Sequence, residues 1–442
     1  MGHLASLRIP LSFLLAALLA PGAAWANGFA LDIQGLFSNG TATAGAASTR
    51  DPAGQFANPA ILAALDGVQV VVGGQYISAR SPFTDSGSTL AVGAPIPGAN
   101  GDGARSGGAP WVFASYRVAP SLAVGFSFYA PFGTATKYDR SFYGRYQGVE
   151  STIESIAFGP AVAWKPIDRV ALGASVAARR DHGIIGQSLD LASLCLAGGG
   201  GAACPPPGQL DGYGRFNATG WGWTATGGVT VEPVAGTLVG VGYRHESTSK
   251  AKGHLSFDAT AQGFLAAAGV TISGDPGASL ELPLPDFMTV SLEQRLTDSF
   301  QLLAAFQYTF WSRFDTLELR LDDPANGYPI PPSKQGFRNA FRVSGAGVYT
   351  ARPGLDLFAG VAFEQSPITT TYRQVTLPER DTLLAGVGVD AKVYGGLSVG
   401  ACYQRVQPLG KAQVDLTDGT GVVKGSVRSS ANVGVLQVAW RG

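Results

Sequence analysis

Charge is scarce in this sequence. Acidic and basic residues together make up 14 % of its 442 residues, where about 25 % is usual for a soluble chain. The 31 basic and 31 acidic side chains cancel, which leaves no basic stripe for a phosphate backbone and excludes nucleic acid as a partner. Histidine is scarcer still. Past the first residues only His182, His245 and His254 occur, whereas a hydrolase needs a nucleophile with a positioned base. His245 has Ser247 and Ser249 nearby, but a polar strand end explains that cluster equally well. No Cys/His spacing suggests a metal site, and no glycine motif sits in a βαβ context that would hold a nucleotide cofactor. The sequence therefore reads as neither enzyme nor cofactor carrier.

Long apolar runs are also missing, with one short exception. Arg8 precedes a run from Leu11 to Ala24 that is broken only by Ser12, Pro21 and Gly22, and Ala24-Trp25-Ala26 is a small-x-small cleavage site. The run is shorter than the roughly 18 residues a membrane anchor requires, so residues 1–26 read as a secretory signal peptide with Asn27 as the mature start. Its removal takes away one positive charge and no acid. Three cysteines remain. Cys195 and Cys204 flank "LAGGGGAA" before three prolines, a loop in which an oxidising compartment favours a disulfide. Cys402 reads as a small apolar strand residue.

Glycine and apolar residues are abundant. There are 61 glycines, and the mean hydropathy is +0.15. A secreted, apolar, glycine-rich chain without helical spans has one economical form, a closed antiparallel β-barrel that satisfies every backbone group inside a bilayer. The alternation agrees. Leu122, Val124, Phe126 and Phe128 oppose Ala123, Gly125 and Ser127, and Leu383, Ala385, Val387, Val389 and Val393 oppose Gly386, Gly388, Asp390 and Lys392. Leu292 and Leu296 alternate with Ser291, Glu293 and Arg295, and Leu436, Val438 and Trp440 share a face.

Fourteen such runs are predicted, near 67–82, 107–118, 120–138, 150–165, 168–183, 213–232 and 237–258, and then 282–297, 300–321, 337–351, 354–368, 381–394, 396–416 and 423–441. Twelve or sixteen strands are compatible with the same pattern. Long Gly/Pro-rich connections at 83–106, 184–212, 259–281 and 322–336 are expected outside the cell, with a short helix over Phe264–Ile272.

Two stretches do not suit a plain barrel. Residues 27–66 lack alternation, and "NPAILAAL" reads as a short helix with Asn58 as N-cap and Pro59 at its first position. We expect this segment to plug the lumen ahead of a barrel over 67–442, the alternative being an unstructured periplasmic extension. The second stretch, "APFGTATKYD" (130–139), follows a well-formed strand, yet Pro131 lacks an N–H and Gly133 weakens a strand.

These motifs, with "NGFAL", "FANPAILAALDG", "GRYQGVESTIESIAFGPAVAWKP", "VGVGYRHESTSKAKGHLSF", "LPDFMTVSLEQRLTDSFQLLAAFQYTFWSRFD" and "FAGVAFEQSPITTTYRQVTLPERDTLLAGVGV", resemble in order the FadL family of outer-membrane transport proteins for long-chain fatty acids and other hydrophobic compounds. The resemblance covers essentially the whole mature chain. It implies a fourteen-stranded, monomeric barrel in the outer membrane of a Gram-negative bacterium, with a hatch containing Gly28, Phe29, Asn58, Pro59 and Ala60. It also implies a lateral gate at the third-strand kink of Pro131, Phe132 and Gly133, through which cargo passes into outer-membrane lipid. A simple bend at the rim is the alternative role for that kink.

Phe29 is a candidate ligand contact or a packing residue. Lys334, in the stretch resembling the family's carboxylate-binding segment, is a candidate for the headgroup, with a solvated loop lysine as the alternative. Arg338, Arg179 and Arg180 are further candidates. The cargo implied is a fatty acid, or an aromatic hydrocarbon such as toluene; a hydrophilic porin would instead show a charged constriction and no plug. One departure from the barrel pattern is the C-terminus, where Trp440 is followed by Arg441 and Gly442.

Overall fold

The computed structural model describes residues 28–46, 51–197, 200–267, 275–322 and 332–442. The leader reading of residues 1–26 and the mature start at Asn27 lie outside them. Fourteen antiparallel strands close into a barrel. They are β1 (Val68–Arg80), β2 (Gly107–Ala119), β3 (Leu122–Tyr129 and Gly133–Lys137), β4 (Glu150–Ile167), β5 (Val170–Asp190), β6 (Asp211–Val234) and β7 (Thr237–Glu246 and Ser249–Phe257). The circuit continues with β8 (Gly277–Leu282 and Phe287–Arg295), β9 (Phe300–Thr309, with Leu319–Leu321 beyond it), β10 (Ala340–Arg352), β11 (Leu355–Glu364), β12 (Thr382–Tyr394), β13 (Leu397–Pro408) and β14 (Ser430–Arg441). β1 pairs with β2 on one side and with β14 on the other, so no edge is left open where closure is needed.

The alternation follows the wall. Val124, Phe126, Leu383, Val387, Leu436 and Trp440 stand on the outer face, more than a third exposed, while Ala123, Ser127, Leu384 and Val435 are buried inside. Tight connections such as Ile167–Val170 and Val234–Thr237 lie at the end that also carries both ends of the barrel sequence. That is the periplasmic end, and the long connections lie at the other.

Several boundaries differ from the sequence reading. β5 and β6 run to Asp190 and from Asp211, because their register is unbroken up to the Asp190–Asp211 pair, so the loop is shorter than 184–212. The alternation of 396–416 and 423–441 is not all barrel. Ala412–Asp418 and Gly421–Val427 join Phe83–Asp85 and Thr89–Leu90 in a separate extracellular sheet, reached through a turn at Gly410 with φ of 89°. β11 stops at Glu364, and residues 365–381 form a long connection that the alternation did not reveal. The loop helix begins at Ala259, ahead of the expected start at Phe264, because Asp258 accepts from the Ala261 N–H at 3.1 Å and caps it; it is described to Ala267, and residues 268–274 lie outside the described ones. Cys195 and Cys204 are joined by a disulfide, and Cys402 is a buried free thiol.

The core lies inside the barrel. Residues 28–46 and 51–65 run through the lumen as a short helix, Leu36–Gly40, and two 3-10 helices, Pro52–Phe56 and Pro59–Ala64. Leu31, Ile33, Leu36, Phe37 and Phe56 of this segment pack against Trp111, Phe113, Tyr129, Phe358 and Val433 of the wall. Polar wall groups hold its backbone. Gln437 accepts from Leu36 N at 3.0 Å and from Trp111 Nε1 at 3.1 Å, and donates to Asp51 at 2.9 Å. Asn58 accepts from Ala60 N at 3.0 Å and donates to the Val229 carbonyl at 3.0 Å. Arg342 pairs with Asp32 at 2.9 Å and with Glu364. Such buried partners satisfy groups that would each cost about 1–3 kcal/mol if left unpaired.

Candidate functional site

The wall is interrupted in β3. Tyr129 is opposite Ala157 and Gly133 is opposite Glu154, so three residues, 130–132, face two on β4. This is a bulge, and proline tolerates such a place because no ladder hydrogen bond is asked of it. The break changes which way the strand faces. Every residue from Ala130 to Thr136 is buried, whereas a strand lying in the wall would show every second residue to lipid. The segment has turned into the lumen.

On the other side its partner strand is left bare. β2 pairs with β3 only from Val112↔Phe128 downward, so Gly107–Trp111 of β2 has no β3 partner. The N-terminal segment takes that place. Leu31 N donates to the Pro131 carbonyl at 2.8 Å, Gly133 N donates to the Phe29 carbonyl at 3.0 Å, and Ala30 and Phe132 form an antiparallel bridge between these bonds. Gln34 adds a bond from its amide to the Ala130 carbonyl at 2.8 Å.

Phe29 sits in an aromatic box. Its ring centroid lies 4.9 Å from Trp311, 5.1 Å from Phe314 and 6.0 Å from Phe132, and Phe337 closes the far side at 4.9 Å from Phe314. Gly28 has φ of 69°, and a Cβ there would stand 2.6 Å from the Trp311 ring, so glycine is required on both counts. Its N–H donates to Glu379 at 2.8 Å. Glu379 belongs to the 365–381 connection, and burial pushes its carboxyl well above the usual range. Trp311, Phe314, Phe337 and Glu379 were not singled out from the sequence. The aromatic run "FWSRF" was a signal for the first two, but nothing local marks Glu379.

Beside Phe29 lies a narrow cavity of about 80 Å³, lined by Ile153, Ile185, Phe216, Leu280, Leu282, Phe314, Leu317 and Leu377, with Thr134, Ser151, Thr152, Asp181, His182, Gln335 and Thr376 as polar members. Below it, Arg179 is fully buried, donating to Asp181 at 3.0 and 3.1 Å and to the Ser247 carbonyl at 2.8 Å, and pairing with Glu246. Its guanidinium is 5.8 Å from the Phe132 ring.

The four candidate cations are not brought together. Lys334 is half exposed on a two-residue strand, paired with Asp315. Arg338 is half exposed, with Asp381 at 4.0 Å. Arg179 is engaged as described. Arg180 points out of the barrel over Trp221, because one step along a strand reverses the face, and this corrects its reading as a candidate for a headgroup held inside the barrel. Asn58, Pro59 and Ala60 contact β5 and β6 and lie apart from the aromatic box.

The chain matches the family described as outer membrane protein transport protein (OMPP1/FadL/TodX) over residues 17–441. It is 26 % identical to the 47 kDa outer membrane protein of Pasteurella multocida over 97 % of both chains. It is 25 % identical to the long-chain fatty acid transport protein of Escherichia coli K12, over 85 % of this chain and 88 % of that one. A crystal structure of a FadL homologue from Pseudomonas aeruginosa superposes with a TM-score of 0.85 at 22 % identity, covering 94 % of this chain and 99 % of the other.

Proposed function

The chain belongs to the outer membrane protein transport protein family (OMPP1/FadL/TodX), and from that premise we propose that it passes long-chain fatty acids laterally into the outer membrane through the break in β3. Passage of hydrophobic compounds through the outer membrane is the family's activity. In this reading the cargo enters beside Phe29, where the cavity of about 80 Å³ is too small for a whole acyl chain and widens as residues 29–31 are displaced from the break, and it leaves between β2 and β3 without crossing water. A water-filled pore would expose its apolar surface at about 25 cal/mol per Å².

The observation that carries the reading is that Ala130–Gly133 bonds to Phe29–Leu31 where β2 would otherwise be its partner. That closure is removable. Two or three hydrogen bonds at about 1 kcal/mol each hold it, and exposing the buried Phe29 and Leu31 side chains adds about 1.5–3 kcal/mol apiece, a loss that about six to eleven buried methylenes at ~0.8 kcal/mol each offset. A long acyl chain supplies this with methylenes to spare. A second reading, an aromatic hydrocarbon as cargo, is supported by the lining of the cavity, to which no lysine or arginine contributes among the described residues.

The test is a staple across the break. Ala30 and Phe132 form a non-hydrogen-bonded antiparallel pair, whose Cα atoms lie about 4.5 Å apart, within the range that a disulfide spans. In a Cys402→Ser background, Ala30→Cys with Phe132→Cys should abolish oleate uptake when oxidised and restore it on reduction, with single Phe132→Cys indifferent to redox state. Uptake by the oxidised protein equal to that of the reduced protein would sink lateral release. Parallel uptake of toluene distinguishes the cargoes, and liposomes carrying the protein should not swell in sugar as a porin's would.

A further inference from the structure

The outer wall carries a basic site that transport does not use. On β5 the outward residues Leu172 and Val176 are apolar and exposed, and then the face changes to Arg180 and His182. The same change occurs at the same height on the next two strands, because Arg180 is opposite Trp221 on β6, and Trp221 is opposite Lys250 on β7. One row further out, His182 is opposite Thr219, and Thr219 is opposite Lys252. Below this line β7 shows Val241 and Tyr243 to the outside, and β6 shows Trp223.

The height is set by the chain. Arg180 stands ten residues above Val170 at the periplasmic turn. With about 3.3 Å per residue and a tilt of about 40°, that is ~25 Å, the height of the apolar band of an outer-membrane barrel. Trp221, 58 % exposed, and Trp223, 49 % exposed, mark the same level as an aromatic girdle. The basic groups therefore stand at the headgroups of the outer leaflet and not among the loops, since β5 and β6 continue well past them to Asp190 and Asp211.

Two of these basic residues have no acidic partner among the described residues. Lys250 pairs with Glu281 at 3.3 Å, and His182 meets Glu154 at 3.3 Å. Arg180 and Lys252 make no ion pair among the described residues, although both are exposed, and Arg180 stacks over Trp221 at 5.9 Å. They are two strands apart and offset by two residues, which places their Cα atoms about 12 Å apart. A tryptophan between two free cations at the membrane surface can receive a sugar-phosphate headgroup, with the ring against the sugar and the cations on phosphate oxygens.

We infer that Arg180, Lys252 and Trp221 form a binding site on the outer wall for the phosphorylated glycolipid of the outer leaflet. The site is separate from the cavity and from whatever cargo the barrel carries.

The test uses the purified full-length protein in detergent, with bound lipid counted by native mass spectrometry. The probes are bisphosphorylated lipid A, the same lipid with its phosphates removed, and inorganic pyrophosphate. The wild type should retain bisphosphorylated lipid A, and Arg180→Gln with Lys252→Gln should bind it about tenfold more weakly, while both proteins keep the same heat-modifiable migration. Lys411→Gln with Lys424→Gln removes two exposed charges from the extracellular loops and should change nothing. The site is refuted if the Arg180/Lys252 variant binds as the wild type does, or if the loop variant loses as much. It is refuted equally if dephosphorylated lipid binds as well, or if pyrophosphate binds and lipid does not.

Discussion

The N–H of Gly133 donates to the carbonyl of Phe29 at 3.0 Å, across more than a hundred residues of chain. With the reciprocal bond from Leu31 to Pro131 it completes a strand edge that the wall itself leaves open. Leu31→Pro removes that second donor and should loosen the closure by about 1–3 kcal/mol. Hydrogen exchange in peptides covering residues 130–136 should rise about tenfold or more, with the barrel strands unchanged. Unaltered exchange there would mean that the break is held from elsewhere.

The lumen is fitted to its contents through small wall residues. A Cβ on Gly173 would lie 2.2 Å from the Ala60 nitrogen and 2.4 Å from the Pro59 carbonyl carbon, backbone atoms that cannot yield as a flexible side chain would. Gly173→Val should leave the barrel folded and expel the turn Pro59–Ala64. In planar bilayers its conductance should be several-fold higher than that of the wild type; equal conductance would show that the lumen accommodates the added volume.

Glu379 links closure to pH. Burial raises its carboxyl well above the usual 4.5, so the folded state keeps a proton that the unfolded state has lost. Stability from this group is therefore present at low pH and is lost as pH rises from 4.5 through the raised folded value. Glu379→Gln keeps an acceptor for the Gly28 N–H and abolishes the titration. Trypsin resistance of the N-terminal segment should fall between pH 5 and pH 8 in the wild type and fall less in the variant. The same drop in both would assign the effect to other groups.

Lys334 serves as a control for headgroup recognition. Its ion pair with Asp315 is half exposed, and such pairs contribute about 0–1 kcal/mol. Lys334→Ala should change oleate affinity, measured by tryptophan quenching, by less than about threefold. A tenfold loss for oleate without a matching loss for toluene would return Lys334 to the ligand.

The barrel was legible in the sequence because a bilayer enforces a period of two along every spanning strand, and Leu122–Phe128 and Leu383–Val393 carry it openly. The same rule misled at Ala412–Asp418 and Gly421–Val427, which alternate because they too form a sheet, one that stands outside the membrane. Asn58 and Pro59 announced their helix because capping is local chemistry. Pro131 and Gly133 likewise announced a defect in β3, since proline cannot donate wherever it is placed. Which atoms fill that defect is not local. Phe29 and Leu31 reach it from the start of the chain, Trp311 and Phe314 from the turn that follows Thr309, and Glu379 from a connection with no period at all. The sequence by itself determined a barrel with a flaw in its third strand. Closing the barrel decided what covers the flaw, because only then do residues hundreds of positions apart share one cross-section of the lumen.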